Sequence, residues 1–233
     1  MMKELTLEIL LGFLLGYLAA TTSESALHRF FGHASSKWRR RWRRFPTLFK
    51  LVTKLHYGHA VVHHSQTYRE SHVKQFQNPE EQSKVDSGLV SRGYESYIRS
   101  RYGLVTDFLG IVFFVAPPIA CCVLVAFAIY GTASVPFLSA ALAPISLAPW
   151  LSCQIHPYLH LSAEEAAEKA PLLTVLILAT PYGKWVRMHH FVHHRYPRYN
   201  FNLLPGGDFL FGCYRRPSPA DIEEMRRIGL IDS

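Results

Sequence analysis

The chain has 233 residues and a formal net charge of +8 at pH 7, and apolar residues make up 49% of it. Its charge is distributed very unevenly, because the 56 residues between Asp107 and Glu164 include no Lys, Arg, Asp or Glu. A gap of this length excludes a disordered chain and argues against an ordinary soluble enzyme. The composition favours helices that lie in a membrane.

The first apolar segment covers Ile9 to Ala20 and extends at most from Leu5 to Thr22. We interpret it as an uncleaved membrane helix of marginal length rather than a signal peptide, since the strongly basic sequence after it would resist export. That sequence has ten Lys or Arg and no acid between Ser25 and Arg69. Arg and Trp next to an apolar helix are typical of a cytoplasmic membrane surface, and we therefore expect no binding to nucleic acid.

The middle of the chain is more polar. Residues 47–64 are predicted to form a helix that lies on or near the surface. Residues 65–107 are mixed in character, with turn signals at Asn78-Pro79, Ser87-Gly88 and Arg92-Gly93.

The uncharged block from Phe108 to Ala163 is long enough for two membrane crossings, with a turn between Gly131 and Pro136. The last apolar run, Pro171 to Gly183, is too short to span a bilayer and suits a re-entrant or protein-buried segment. Beyond it, Ala220 to Ile228 is predicted to form a soluble helix.

Twelve of the 13 histidines fall in four short windows, and only His72 lies outside them. The windows are His28 and His33; His56, His59, His63 and His64; His156 and His160; and His189, His190, His193 and His194. Several pairs are three or four residues apart, which places side chains on one face of an α-helix. Imidazoles on one face can converge on a metal ion. We therefore predict metal binding by these windows and an ordinary core or surface role for His72.

The predicted topology brings all four windows to one side of the membrane. The first two flank the basic stretch, the uncharged block goes out and returns before His156, and the run from 171 to 183 is too short to cross. Up to twelve imidazoles exceed the needs of one metal, and imidazole suits Fe, Zn, Cu and Ni alike. Two metals at a membrane boundary suit the oxidation of an unactivated C–H bond of a lipid chain by O2.

Other interpretations stay open at this stage. A transition-metal transporter or sensor would also use histidines, although transporters place ionisable ligands within the membrane path. A structural zinc protein is a further interpretation. A hydroxylase and a desaturase both begin by removing a hydrogen atom, and the sequence does not separate them.

The order and spacing of the histidines resemble the fatty acid hydroxylase/sterol desaturase superfamily of integral-membrane non-haem di-iron oxygenases. The resemblance covers residues 5–216 and rests on four boxes, namely His28-x4-His33, His59-x3-His63-His64, His156-x3-His160 and His190-x2-His193-His194. After them, Asn200-Phe201-Asn202 and Asp208-Phe209-Leu210-Phe211-Gly212 stand where the family often has an Asn-aromatic-Gly and an Asp-x-Leu-Phe-Gly element.

The resemblance implies an all-α integral-membrane helical bundle over residues 1–216, with a cytoplasmic di-metal site and a short polar tail at 217–233. The implied activity is hydroxylation of a lipid or other hydrophobic substrate by O2 at two iron ions, which zinc can replace in purified protein. The implied ligands are His28, His33, His59, His63, His64, His156, His160, His190, His193 and His194. His56 and His189 are further ligands or neighbours of ligands, and Asn200 and Asp208 are turn residues or partners that fix imidazole tautomers.

The resemblance also implies partners outside the chain. We expect electrons to come from a separate ferredoxin- or cytochrome-type protein that the basic surface attracts. The compact length and the lack of an organelle signal favour a bacterial inner membrane, with the site on the cytoplasmic side.

Overall fold

The computed structural model of the protein describes residues 2–68, 76–100, 102 and 108–231, with the backbone alone at Leu109. Within these ranges the regular structure is entirely helical, which confirms the predicted all-α class. His72 lies outside the described residues.

Twelve α-helices follow one another in the described ranges. They are α1 (Met2–Leu27), α2 (Ser36–Arg44), α3 (Lys50–His56), α4 (Pro79–Val90), α5 (Ser96–Arg99), α6 (Phe108–Tyr130), α7 (Val135–Gln154), α8 (Ala163–Lys169), α9 (Leu172–Ala179), α10 (Pro181–Arg195), α11 (Gly207–Leu210) and α12 (Pro219–Arg227). Wider π-helical turns continue α1 over His28–Gly32 and α3 over Tyr57–Thr67, and a 3-10 turn follows α7 at His156–Tyr158.

Three of these segments are long and apolar enough to cross a membrane, in agreement with the predicted number of crossings. They are Met2–Gly32, Gly110–Tyr130 and Val135–Tyr158. Their outward faces carry exposed large apolar side chains, such as Leu10, Leu124 and Phe127. Exposed leucine and phenylalanine on a long helix suit contact with lipid.

The first of these helices is longer than predicted, because it does not end at Thr22 but continues to Leu27. Its last polar residues are satisfied inside the protein. The carboxylate of Glu24 accepts the backbone N–H groups of Leu203 and Leu204, and the Thr21 hydroxyl donates to the Leu204 carbonyl. Buried polar groups that find such partners do not interrupt a helix.

α1 and α7 pack against each other more extensively than any other pair of helices in the described ranges. A Cβ atom at Gly12 would lie 2.2 Å from the Phe137 carbonyl oxygen, and one at Gly16 would lie 2.5 Å from that of Ala141. Two glycines four residues apart therefore let the backbones of the two helices approach closely, as small residues do in membrane helix pairs. This contact fixes α1, which ends at the first histidine window.

The region from 78 to 93 differs from the predicted series of turns. The side chain of Asn78 accepts the backbone N–H of Glu81, and Pro79 occupies the first turn, so α4 begins where a turn was predicted. The Ser87-Gly88 turn is wrong, because both residues lie inside α4. The chain turns at Gly93, whose φ is +69°, as predicted.

α9 has eight residues and is too short to cross, as expected of this apolar run. Near the C-terminus, α12 confirms the helix predicted for 220–228. It starts at a capping box formed by Ser218 and Asp221. Met225 is fully buried against the face of α10 that carries Phe191 and Val192.

Candidate metal centre

All ten histidines of the four boxes come together in one buried cluster, and their ring nitrogens form two adjoining groups. The first histidine group consists of His28, His33, His59 and His193, together with His64, whose Nε2 is 3.2 Å from those of His59 and His193. The second consists of His63, His156, His160 and His190, together with His194, whose Nε2 is 2.9 Å from that of His63. His64 and His194 also form a third possible metal-binding set with His63, so they bridge the two groups. Each group combines side chains from three separate segments of the chain. The second π-helical turn and α10 contribute to both groups.

The Nε2 atoms of the first histidine group lie close together. His59 Nε2 is 2.7 Å from His28 Nε2 and 2.9 Å from His33 Nε2. The nitrogens of His59, His33, His193 and His64 form a closed ring, whose other three sides measure 3.1, 3.2 and 3.2 Å. The rings meet mostly edge to face, so their nitrogens point towards a common centre.

The second histidine group repeats this arrangement. The Nε2 atoms of His160 and His190 are 2.9 Å apart, and those of His63 and His194 are also 2.9 Å apart. The ring of His156 lies 4.9 Å from that of His63 and 4.6 Å from that of His190.

The two groups touch through stacked rings. His64 of the first group and His194 of the second stack at a centroid distance of 4.0 Å, with an angle of 17° between their planes. The two groups therefore form neighbouring parts of a single site.

Two of the segments that carry these histidines are π-helical, so their side chains are not all paired at the α-helical spacing of three or four residues. His59 and His63 do not share a group, because the segment is π-helical and brings residues five apart onto one face; His59 thus meets His64. A π-helical turn also links His28 to His33, whose backbone N–H donates to the His28 carbonyl. α10 is a regular α-helix, and the rings of its His190 and His194 lie 4.7 Å apart. His189, four residues before His193, instead contacts Asp208.

Backbone carbonyls fix the tautomers of three of the rings. The Nδ1 atom of His28 contacts the carbonyl of Phe201, that of His63 the carbonyl of Tyr102 at 2.9 Å, and that of His193 the carbonyl of Tyr199 at 2.8 Å. Since a carbonyl only accepts hydrogen bonds, Nδ1 carries the proton in each ring. The Nε2 lone pair of each ring then faces the cluster, as in metal-binding histidines.

Burial keeps the imidazoles of His59, His64 and His193 neutral. It holds the pKa of His59, His64 and His193 well below the usual value, and neighbouring imidazoles lower it further. The Nε2 lone pairs of His28, His63 and His193 each lie 2.7 to 3.2 Å from the Nε2 of a neighbouring imidazole, an arrangement in which several neutral nitrogens converge. The donor set therefore fits metal ions. Two nitrogens about 2.1 Å from a metal are about 3.0 Å apart at a right angle and about 3.4 Å apart at a tetrahedral angle.

The two additional histidines of the windows lie outside both groups. The Nδ1 of His56 is 2.8 Å from the Gly32 carbonyl, and its ring packs against Trp42. His189 is buried, and its Nε2 lies 2.9 Å from the carboxylate of Asp208. Both side chains therefore support the segments that carry the clustered histidines.

Asp208 and Asn200 fix the chain that follows α10. Burial tends to raise the pKa of Asp208, but hydrogen bonds from His189 and the Asn202 backbone hold it below the usual value. Asn200 has a φ of +57°, and its side chain bonds the backbone of Arg215 in both directions. Its amide also reaches the His189 carbonyl rather than any imidazole.

Asn202 and Glu24, which were not among the predicted site residues, tie this segment to α1. The side-chain amide of Asn202 donates to Glu24 and to the Thr21 hydroxyl. Glu24 also holds the backbone of residues 203 and 204. Tyr68 was missed as well, although its ring stacks on His160 at 3.7 Å. Their residue types carry no pattern that marks such contacts in advance.

A small cavity of about 50 Å³ adjoins both histidine groups. His28 and His59 of the first group and His156 and His190 of the second line one side. The other walls are mainly apolar and include Phe113 of α6. The cavity therefore provides a small, mainly apolar space next to both groups.

This chain matches no family model, no curated protein and no solved structure. Its assignment to a family therefore rests on the order and spacing of the histidines alone.

Proposed function

We propose that the protein is an integral-membrane di-iron oxidoreductase of the fatty acid hydroxylase/sterol desaturase type, which uses O2 to hydroxylate a lipid-type substrate. The observation that carries this proposal is the convergence of ten imidazoles into two adjoining groups beside an apolar cavity. A bound metal pair supplies the activation of O2 that an unactivated C–H bond requires. The chain itself holds the metals, positions the substrate and keeps water out.

The donor set favours iron over structural zinc. Structural zinc takes four tetrahedral ligands, whereas the groups here bring ten imidazoles together. Two ions that share ten imidazoles have more than four nitrogen donors each, which suits a metal of higher coordination number.

The cavity supports a hydrocarbon substrate. Phe113 and Phe114 of α6, together with Leu27 of α1, form much of its apolar wall. Both helices belong to segments that are apolar and long enough to span a membrane. The cavity holds only a short segment of a lipid chain, whose C–H bonds would lie beside both groups, while the rest of the chain would extend between α1 and α6 towards the bilayer.

A second opening supports the docking of an electron donor. A depression of about 370 Å³ on the other side of the first group has His33 in its wall, together with Arg29 and Arg198. Both arginines are exposed, and the basic helix α2 begins seven residues after Arg29. An acidic ferredoxin- or cytochrome-type protein would be attracted here and would come close to a metal ligand.

The test is turnover by iron-loaded protein in lipid nanodiscs with a chemical reductant, a panel of fatty acyl, sphingoid and sterol lipids, and ¹⁸O₂. The expected product contains one ¹⁸O atom, and the His193→Ala variant forms none. A product that has lost two hydrogens and gained no oxygen would replace hydroxylation with desaturation. Metal uptake into proteoliposomes without any lipid product would favour a transporter.

A further inference from the structure

A second and much larger cavity lies away from the histidine groups. It has a volume of about 590 Å³ and opens between α8, α9, α10 and the segment after α12. Its walls are mostly apolar side chains, among them Ala167 of α8 and Val175 of α9. None of the described residues that line it is acidic or a histidine.

The buried charged group in this cavity is the guanidinium of Arg187, which is only 5% exposed. It donates one hydrogen bond, to the Leu161 carbonyl at 3.0 Å, and has no carboxylate partner among the described residues. An arginine side chain offers five N–H donors. Burying a guanidinium that uses so few of its donors costs free energy unless an anion accepts hydrogen bonds from the remaining ones.

The surroundings place the cavity between an apolar and a charged surface. α9 exposes Leu172, Leu173 and Leu176, which suit the hydrocarbon region of a bilayer. α8 exposes glutamates on its outer face, which suit water. Lys184, one turn before Arg187, also lines the cavity. An opening between an apolar and a charged surface suits the level at which lipid headgroups meet their acyl chains.

We propose that this cavity binds the anionic headgroup of a phospholipid. The phosphate oxygens accept hydrogen bonds from the guanidinium of Arg187, which matches phosphate in a two-pronged geometry, and they are attracted by the ammonium of Lys184. The first part of an acyl chain lies along the alanine and valine side chains of α8 and α9. The volume and the apolar walls favour an amphiphile over a small soluble anion.

The bound lipid would stabilise the second histidine group from outside. Arg187 precedes His190 by one turn of α10, and its carbonyl partner Leu161 follows His160 in the chain. A headgroup on Arg187 therefore holds together the two segments that bring His160 and His190 to 2.9 Å.

The test measures thermal unfolding of the delipidated full chain in an uncharged detergent. Phosphatidylglycerol, phosphatidylcholine and inorganic phosphate are titrated separately. Arg187→Gln keeps a donor for the Leu161 carbonyl but removes the charge, and Ala167→Phe fills the cavity from its rim. Arg226→Gln, which removes an exposed arginine of α12, is the matched control.

Phosphatidylglycerol is expected to raise the melting temperature of the wild type and of Arg226→Gln, whereas phosphatidylcholine and inorganic phosphate leave it unchanged. Arg187→Gln and Ala167→Phe should each need about tenfold more phosphatidylglycerol for the same shift. If Arg187→Gln does not fold, Ala167→Phe decides. Equal shifts in wild type and the cavity variants, or a full shift with inorganic phosphate alone, would overturn the proposal.

Discussion

His59 and His56 lie about one turn apart in the same segment. Comparing the single variants His59→Ala and His56→Ala therefore distinguishes a metal ligand from a residue that only supports the site. The Nε2 of His59 lies 2.7, 2.9 and 3.2 Å from the Nε2 atoms of His28, His33 and His64. His56 instead places its Nδ1 2.8 Å from the Gly32 carbonyl. Both variants remove one imidazole from one helix, so they change helix propensity and side-chain size equally.

The expected magnitudes differ strongly. Substitution of a residue that only supports a ligand costs about 10–100-fold in metal affinity, and the loss of His59 itself should cost more than about 100-fold at the first group. Bound metal should then fall from two ions per chain to one. His56→Ala loses one hydrogen bond, worth about 1 kcal/mol of unfolding free energy, and keeps two ions.

The assay is elemental mass spectrometry of each purified variant, together with its thermal unfolding curve. Free imidazole added during metal loading should restore part of the second ion in His59→Ala, because the cavity left by the side chain accepts a ring. If both variants retain two metals, or if both lose the same amount, the assignment of the first histidine group is wrong.

Three further predictions follow from the same structure. Asp208→Asn replaces with an amide the carboxylate that accepts a hydrogen bond from His189. The substitution should lower the free energy of unfolding by about 1–3 kcal/mol in a thermal or denaturant melt, and an unchanged value would contradict a stabilising role of this hydrogen bond. Gly16→Leu places a large side chain against the backbone of Ala141 and so forces α1 away from α7. The variant should give less folded, metal-loaded protein on size-exclusion chromatography, and a normal yield would contradict the close packing of the two helices. The double variant Arg29→Glu and Arg198→Glu should reduce turnover with a protein electron donor by about tenfold and leave turnover with a chemical reductant unchanged. Equal losses of turnover with the protein donor and with the chemical reductant would exclude a docking role for these arginines.

The membrane helices could be predicted from the sequence because long runs of apolar residues carry a strong signal. The absence of charge between Asp107 and Glu164 predicts two helices joined at Gly131, and α6 and α7 have this arrangement. The end of α1 could not be predicted. Its polar residues are tolerated only because Glu24 finds backbone donors that lie about 180 residues later in the chain.

The clustering of the ten box histidines also follows from their spacing, but the division into two groups does not. The π-helical turn brings His64 to His59 and His193, while His63 joins the second group, and residue types do not encode such a winding. The acceptors that orient the rings are backbone carbonyls, such as those of Tyr199 and Phe201, which carry no side-chain signature. Asp208 and His189 were both selected, yet only the structure pairs them.

The central claim is that this chain holds two metal ions, and the most direct measurement is the metal content of the full-length protein after gentle extraction into detergent. Elemental mass spectrometry on protein of known concentration gives the number of ions per chain and their identity. The account predicts about two iron ions per chain, or two zinc ions when overexpression has replaced the iron. A single ion per chain, or none after loading with iron under anaerobic conditions, would contradict it.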